Sequence, residues 1–147
     1  MEDDGFCLKA IRGAVQVASD TPELIAEGTL AMLEEIMLVN DLRAAELISL
    51  FFTITPDLLS ELPPLAAYEA GWSEVPMLCA AEVQSRSMIP RVIRVLAHVN
   101  WPARHREPQH VYLPGTSPQR PGLDLSPHVR IVVASNLKIS GGRRRQK

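Results

Sequence analysis

The chain has 147 residues, is 46% hydrophobic and 22% charged, and carries a formal net charge of −2. That suits one domain with a sizeable core, and no apolar run reaches the roughly 18 residues that a membrane span needs. The charge is uneven: residues 138–147 hold Lys138, Arg143, Arg144, Arg145 and Lys147 and no acid, so they carry +5 and the remainder −7. A body that acidic does not suit nucleic acid; the basic end reads either as a contact for nucleic acid or an anionic surface or, more simply, as a solvated tail.

The N-terminus, MEDDGFCLKA, lacks the basic and long apolar segments of a secretory signal. With only two cysteines and no Cys/His cluster at zinc-ligand spacing, the expectation is reduced thiols, a cytoplasmic location and no metal. FCLKAI at 6–11 predicts a first strand ending at Arg12-Gly13-Ala14, where glycine lets the backbone turn and leaves Arg12 free for a ligand or a surface ion pair. Ser19 to Glu23 is a helix start, with Asp20 or Thr21 as cap, Pro22 in the first turn and Glu23 at the positive end of the dipole. Leu24, Ile25, Met32, Leu33, Ile36 and Val39 follow at helical spacing up to Asn40, a stripe that reads as core.

ELISLFFTIT at 46–55 is rich in β-branched and aromatic residues and predicts a central strand covered on both faces. A short helix starts at Pro63-Pro64 and ends at Gly71. Between Gly71 and Val99 two strands, VPMLCAAEV and RVIRVLAHV, are joined by a polar loop through Ser85, Arg86, Ser87 and Pro90. HVYL at 110–113 is a brief strand. PGTSPQRPGLDLSPH is a loop, and RIVVASNLKI is either a last strand or an apolar segment of a mobile tail. The expected architecture is α+β: a mixed sheet of about five strands, one long helix and a short second helix, in a domain spanning 1–125 with a tail at 126–147. One long helix cannot cover both faces of such a sheet, which suggests a homo-oligomer.

Several chemistries lack their equipment. There is no glycine-rich phosphate loop, no G-x-S-x-G and no recognisable Ser/His/Asp order. His98 and His110 read as bases or as hydrogen-bonded structural groups, and Cys79 as a buried thiol or as a nucleophile without a nearby histidine. What remains is Arg12, Arg94 and Arg120, the phenol of Tyr112, the carboxylate of Glu82 and the Cys79 thiol. Arginines grip carboxylates with paired, charge-assisted hydrogen bonds, and Glu82 can accept from a hydroxyl. The set suits a small dianionic, hydroxylated metabolite, with catalysis by positioning and electrostatics. Strict alternation puts Cys79 and Glu82 on opposite faces of one strand, so both reach one ligand only if the strand breaks near Ala80-Ala81.

AIRGAVQV, TPDL at 55–58, GWSEVPMLCAAEV at 71–83, IRVLAHVN at 93–100, HVYL and RP at 120–121 occur in an order and spacing that resembles the AroH-type monofunctional chorismate mutases. The resemblance implies a pseudo-α/β-barrel homotrimer with active sites between subunits. It implies a rearrangement of chorismate to prephenate, on the route to phenylalanine and tyrosine, with no cofactor or metal. By the same resemblance Arg12 and Tyr112 would bind carboxylates, and Arg94 the breaking ether oxygen. Cys79 and Glu82 would contact the ring hydroxyl, Leu78, Ala80 and Ala81 would line the pocket, and Arg120 would belong to a closing segment. Leu62, Leu65, Tyr68 and Gln84 depart from the family pattern, and Leu65 and Tyr68 motivate an alternative, a trimer of the same fold that binds a carboxylate metabolite without turning it over.

Overall fold

The long helix α1, Pro22–Val39, begins where the capping chemistry places it. Thr21 is extended, its Oγ1 accepts from the Leu24 amide at 3.2 Å, and Pro22 occupies the first turn. Asp20 is not the cap. Its carboxylate accepts from the Ser60 hydroxyl at 2.7 Å and from the amides of Leu59 and Ser60, so it ties the segment before the short helix α2, Pro63–Ala67, to the start of α1. These bonds, the Ser60 hydroxyl first, lower its pKa. Their contribution to stability is therefore present above the ordinary carboxylate range and lost as pH falls through the lowered value. Beyond α2 a widened helical turn, Tyr68–Trp72, is kinked at Gly71, whose φ of 101° is open to glycine and costly for other residues.

A computed structural model of the chain describes residues 5–103, 105–114, 116 and 129–131. Six strands, β1 Phe6–Gln16, β2 Leu47–Ile54, β3 Met77–Ala81, β4 Val92–Pro102, β5 His110–Tyr112 and β6 Val129–Ile131, form one sheet in the order β3-β2-β4-β1-β5-β6. β4 is antiparallel to both β1 and β2, while β2–β3, β1–β5 and β5–β6 are parallel, so the sheet is mixed. The sixth strand lies within the expected tail at 126–147; the rest of that tail is outside the described residues.

Among the described residues the helices cover one face only. Ile11, Val15, Phe52, Ile93, Val95 and Val111 point inward and pack with Ile25, Met32, Leu33 and Ile36 of α1 in one buried core. Two expectations are corrected here. β1 does not turn at Gly13 but runs through it. A Cβ at that position would sit 2.7 Å from Ile36 Cδ1, 3.0 Å from Val95 Cγ1 and 3.1 Å from Met32 Cγ, so the glycine serves close helix–sheet packing, and Arg12 stands in mid-strand. β2 is not covered on both faces: Phe52 is fully buried, but its neighbour Phe51 is 39% exposed on the outer face, beside Leu78 at 68%.

Asn40, buried at the end of α1, does more than stop the helix. Its Nδ2 donates to Ile36 O at 2.8 Å and Gln109 O at 3.0 Å, and its Oδ1 accepts from the Gln109 amide at 2.7 Å. The helix is thereby bolted to the residue that enters β5. Asn40→Ala is expected to destabilise the fold by about 1–3 kcal/mol, because it leaves the partly buried Gln109 amide unpaired and removes three hydrogen bonds. Urea unfolding at fixed protein concentration checks this, as a lowered midpoint at unchanged slope.

Candidate active site

Register decides which side chains share the outer face. Ala80 of β3, Thr53 of β2, Arg94 of β4, Ala14 of β1 and Tyr112 of β5 are successive partners across five strands and form one row. Arg12 faces the same side one row along, opposite Leu96, diagonal to Arg94 at a distance of about 7 Å between such neighbours. Leu78 and Phe51 flank that second row. Alternation along the strands puts Glu82 on this side too. It follows β3 directly, and its amide donates to Ile54 O at 2.8 Å.

Glu82 and Arg94 form an ion pair, with Nε 2.8 Å from Oε1. The pair spans two strand spacings, with Thr53 of the intervening strand beneath it; the Thr53 hydroxyl donates to the same Oε1 at 2.8 Å. Among the described residues, the two Nη groups of Arg94 and Oε2 of Glu82 have no hydrogen-bond partner of their own. The side chains are 38% and 20% exposed, so the pair contributes at most about 1 kcal/mol to stability; its consequence is orientation. Arg12 is exposed, and its backbone amide donates to Nδ1 of His110 at 3.0 Å. That bond makes Nδ1 the acceptor and ties β5, and with it Tyr112, to β1. Tyr112 is 4% exposed and packs against Ala14, Val92 and Ile89 in a small cluster on the outer face.

The structure brings Arg12, Arg94, Glu82, Tyr112, Leu78 and Ala80 to one face. Cys79 and Ala81 are on the other. β3 pairs with β2 without a break from Met77 to Ala81, so the interruption at Ala80-Ala81 that would turn both Cys79 and Glu82 to one ligand is absent. Cys79 lies opposite the buried Phe52 and packs on the core, and burial raises the pKa of its thiol. Arg120 lies outside the described residues. His98, on the outer face, is hydrogen-bonded to Ser49 at 3.2 Å. Thr53 was not singled out by the sequence; a hydroxyl inside the apolar run LFFTI, on the same parity as the exposed Phe51, was the available signal.

Two clefts, of about 210 and 420 Å³, lie around Asn40 to Leu42 and contain neither Arg94 nor Glu82. On the outer sheet face stand two guanidinium groups, Arg12 and Arg94, and the Glu82 carboxylate, with Phe51 and Leu78 as apolar flanks. Among the described residues no cluster of three or more His, Cys, Asp or Glu side chains is able to hold a metal ion. Such a face offers anionic ligands paired hydrogen bonds, and its chemical means are charge and position.

Comparison with known proteins gives this α+β sheet its family. Residues 8–123 match the family model of chorismate mutase type I, and the chain belongs to that family. It is 40% identical over 118 residues to the chorismate mutase AroH of Thermus thermophilus, covering 80% of this chain and 97% of the relative. It is 31% identical over 125 residues to the chorismate mutase AroH of Bacillus subtilis, covering 84% and 98%. The structure of a chorismate mutase from Clostridium thermocellum superposes with a TM-score of 0.68 at 34% identity, covering 74% of this chain and 96% of that one.

Cys79 is half-buried and its thiol pKa is raised, whereas Cys7 is exposed. A thiolate-directed alkylating reagent at neutral pH should therefore label Cys7 before Cys79. Peptide mass spectrometry over a time course checks the order; faster labelling of Cys79 would contradict the inward placement.

Proposed function

We propose that the outer face of this chain is where chorismate is rearranged to prephenate, with Arg94 as the principal catalytic group. As a chorismate mutase the chain is an isomerase, and the reaction is unimolecular: one C–O bond breaks while one C–C bond forms. The ether oxygen gains negative charge as its bond breaks. A guanidinium placed there stabilises the transition state more than the substrate, which is what raises turnover. The observation that carries the assignment is the Glu82–Arg94 pair. Glu82 engages Nε, so the Nη groups remain for the ether oxygen and a carboxylate.

The second carboxylate group needs a second cation, and Arg12 is on the same face one row away. Tyr112 completes the carboxylate contacts, and Glu82 Oε2 accepts from the ring hydroxyl. Leu78 and Ala80 supply the apolar floor. Cys79 and Ala81 receive no contact in this reading, because they face the core side. The enzyme works as a homotrimer in the cytoplasm, on the route to phenylalanine and tyrosine. The support for the trimer is the open face: Leu8, Phe51 and Leu78 are 66%, 39% and 68% exposed, an apolar surface that a neighbouring subunit would cover. The exposed Leu62, Leu65 and Tyr68 around α2 are the surface such a neighbour would present as the opposite wall.

Arg94→Lys keeps the charge and loses the planar fork, so kcat should fall by about 10²–10³ while KM changes far less. Loss of chorismate absorbance measures both constants, and near-normal kcat would remove Arg94 from its role. The assay on the full chain, with sedimentation analysis beside it, also reads the trimer. Glu82→Gln retains one acceptor oxygen and should lose less kcat than Glu82→Ala; equal losses in the same assay would argue against the hydroxyl contact.

A further inference from the structure

We infer that Thr53 is a positioning residue for the rearrangement, acting through Glu82; the inference rests on the roles given above to Glu82 and Arg94. The ion pair is built in an unusual place. Glu82 and Arg94 belong to opposite sides of β2, roughly 10 Å apart at the backbone, and the two side chains meet above residue 53. The position must therefore be small enough to lie beneath them, and Phe51, two residues earlier on the same face, shows what a large side chain there would occupy. Size alone would be met by alanine, serine or valine. The hydroxyl adds something they do not all have: it donates to Glu82 Oε1 at 2.8 Å, the same oxygen that Arg94 Nε approaches at 2.8 Å.

Two donors on one carboxylate oxygen leave the other oxygen for a ligand. Without the hydroxyl, the Glu82 carboxylate is held by Arg94 alone. The most favourable arrangement of an isolated carboxylate and guanidinium is the two-bonded fork, in which both oxygens and one Nη are engaged. That rearrangement would withdraw an Nη group from the ether oxygen and Oε2 from the ring hydroxyl at once. Thr53 thus keeps the pair in its one-oxygen form, and the groups it frees are the ones the reaction uses. Charge-assisted hydrogen bonds of this kind are the stronger sort, so the effect should be large enough to read.

Thr53→Val has the shape of threonine without its hydroxyl. It should lower kcat by about tenfold to a hundredfold, with a smaller change in KM and an unchanged melting temperature and sedimentation coefficient. Thr53→Ser, which restores a donor, should recover most of the loss. In a Glu82→Ala background Thr53→Val should cost nothing further, because its effect runs through that carboxylate. Wild-type kcat in Thr53→Val, failure of serine to rescue where serine melts normally, or a full extra loss in the Glu82→Ala background would overturn the inference. If the valine variant does not assemble, Thr53→Ala measured against Thr53→Ser carries the same comparison. The two readings separate cleanly: wild-type turnover in Glu82→Ala would sink the role of Glu82 and this inference with it, whereas an impaired Glu82→Ala beside an unimpaired Thr53→Val sinks this inference alone.

Discussion

Among the described residues the α-helices α1 and α2 lie on the same side of the sheet. α1 packs its apolar stripe along the inner face, and Gly13 permits an approach that a Cβ would block against Ile36, Val95 and Met32. Because side chains alternate along every strand, covering one face leaves half of each strand's residues looking outward. Those residues are a mixture that no buried face would tolerate: Phe51, Leu78 and Leu8 beside Arg12, Arg94 and Glu82. The proposed site follows from that division. The charged groups keep partial access to solvent, and the apolar groups around them ask for a partner surface.

On that outer face the geometry is set by small residues as much as by charged ones. In the row through Arg94 the flanking positions are Ala80, Thr53 and Ala14. They leave room for the Glu82 side chain to reach across β2, and the hydroxyl among them tells the carboxylate which oxygen to use. The ion pair contributes little to holding the fold together at its degree of exposure, so its worth is directional. Further along, the Arg12 amide bonded to His110 and Asn40 bonded to Gln109 bring β5 into line from its two sides, which places Tyr112 opposite Ala14.

How legible this was varies by residue. The α1 boundaries follow from Thr21, Pro22 and Asn40, because capping and proline placement act over three or four residues. The opposition of Cys79 and Glu82 follows from a period of two and needs no partner strand. Gly13 misled, since a glycine after a possible strand end reads as a turn, and only the helix packed on it shows why a side chain is excluded there. β2 misled for a related reason: LISLFFTI is apolar at nearly every position, which is how a doubly covered strand reads, yet half of it faces outward. Thr53 carried only the weak signal of a hydroxyl within LFFTI, because the role inferred for it depends on two residues far away in the chain.

By itself the sequence determined the elements, the α+β class, the insufficiency of one long helix for two sheet faces, and the short list of charged residues set within apolar strands. These are consequences of local periodicity and composition, and the family pattern in IRGA, Cys-x-x-Glu, IRV and HVYL is likewise a linear signal. Tertiary structure decided which of those residues meet. The order β3-β2-β4-β1-β5-β6 and its register put Glu82 two strands from Arg94 with Thr53 between them, and turned Cys79 to the core. Pairing partners and register arise from non-local hydrogen bonds and from which face the helix covers, so a shift of one residue would exchange the two faces and take Arg94 away from Glu82.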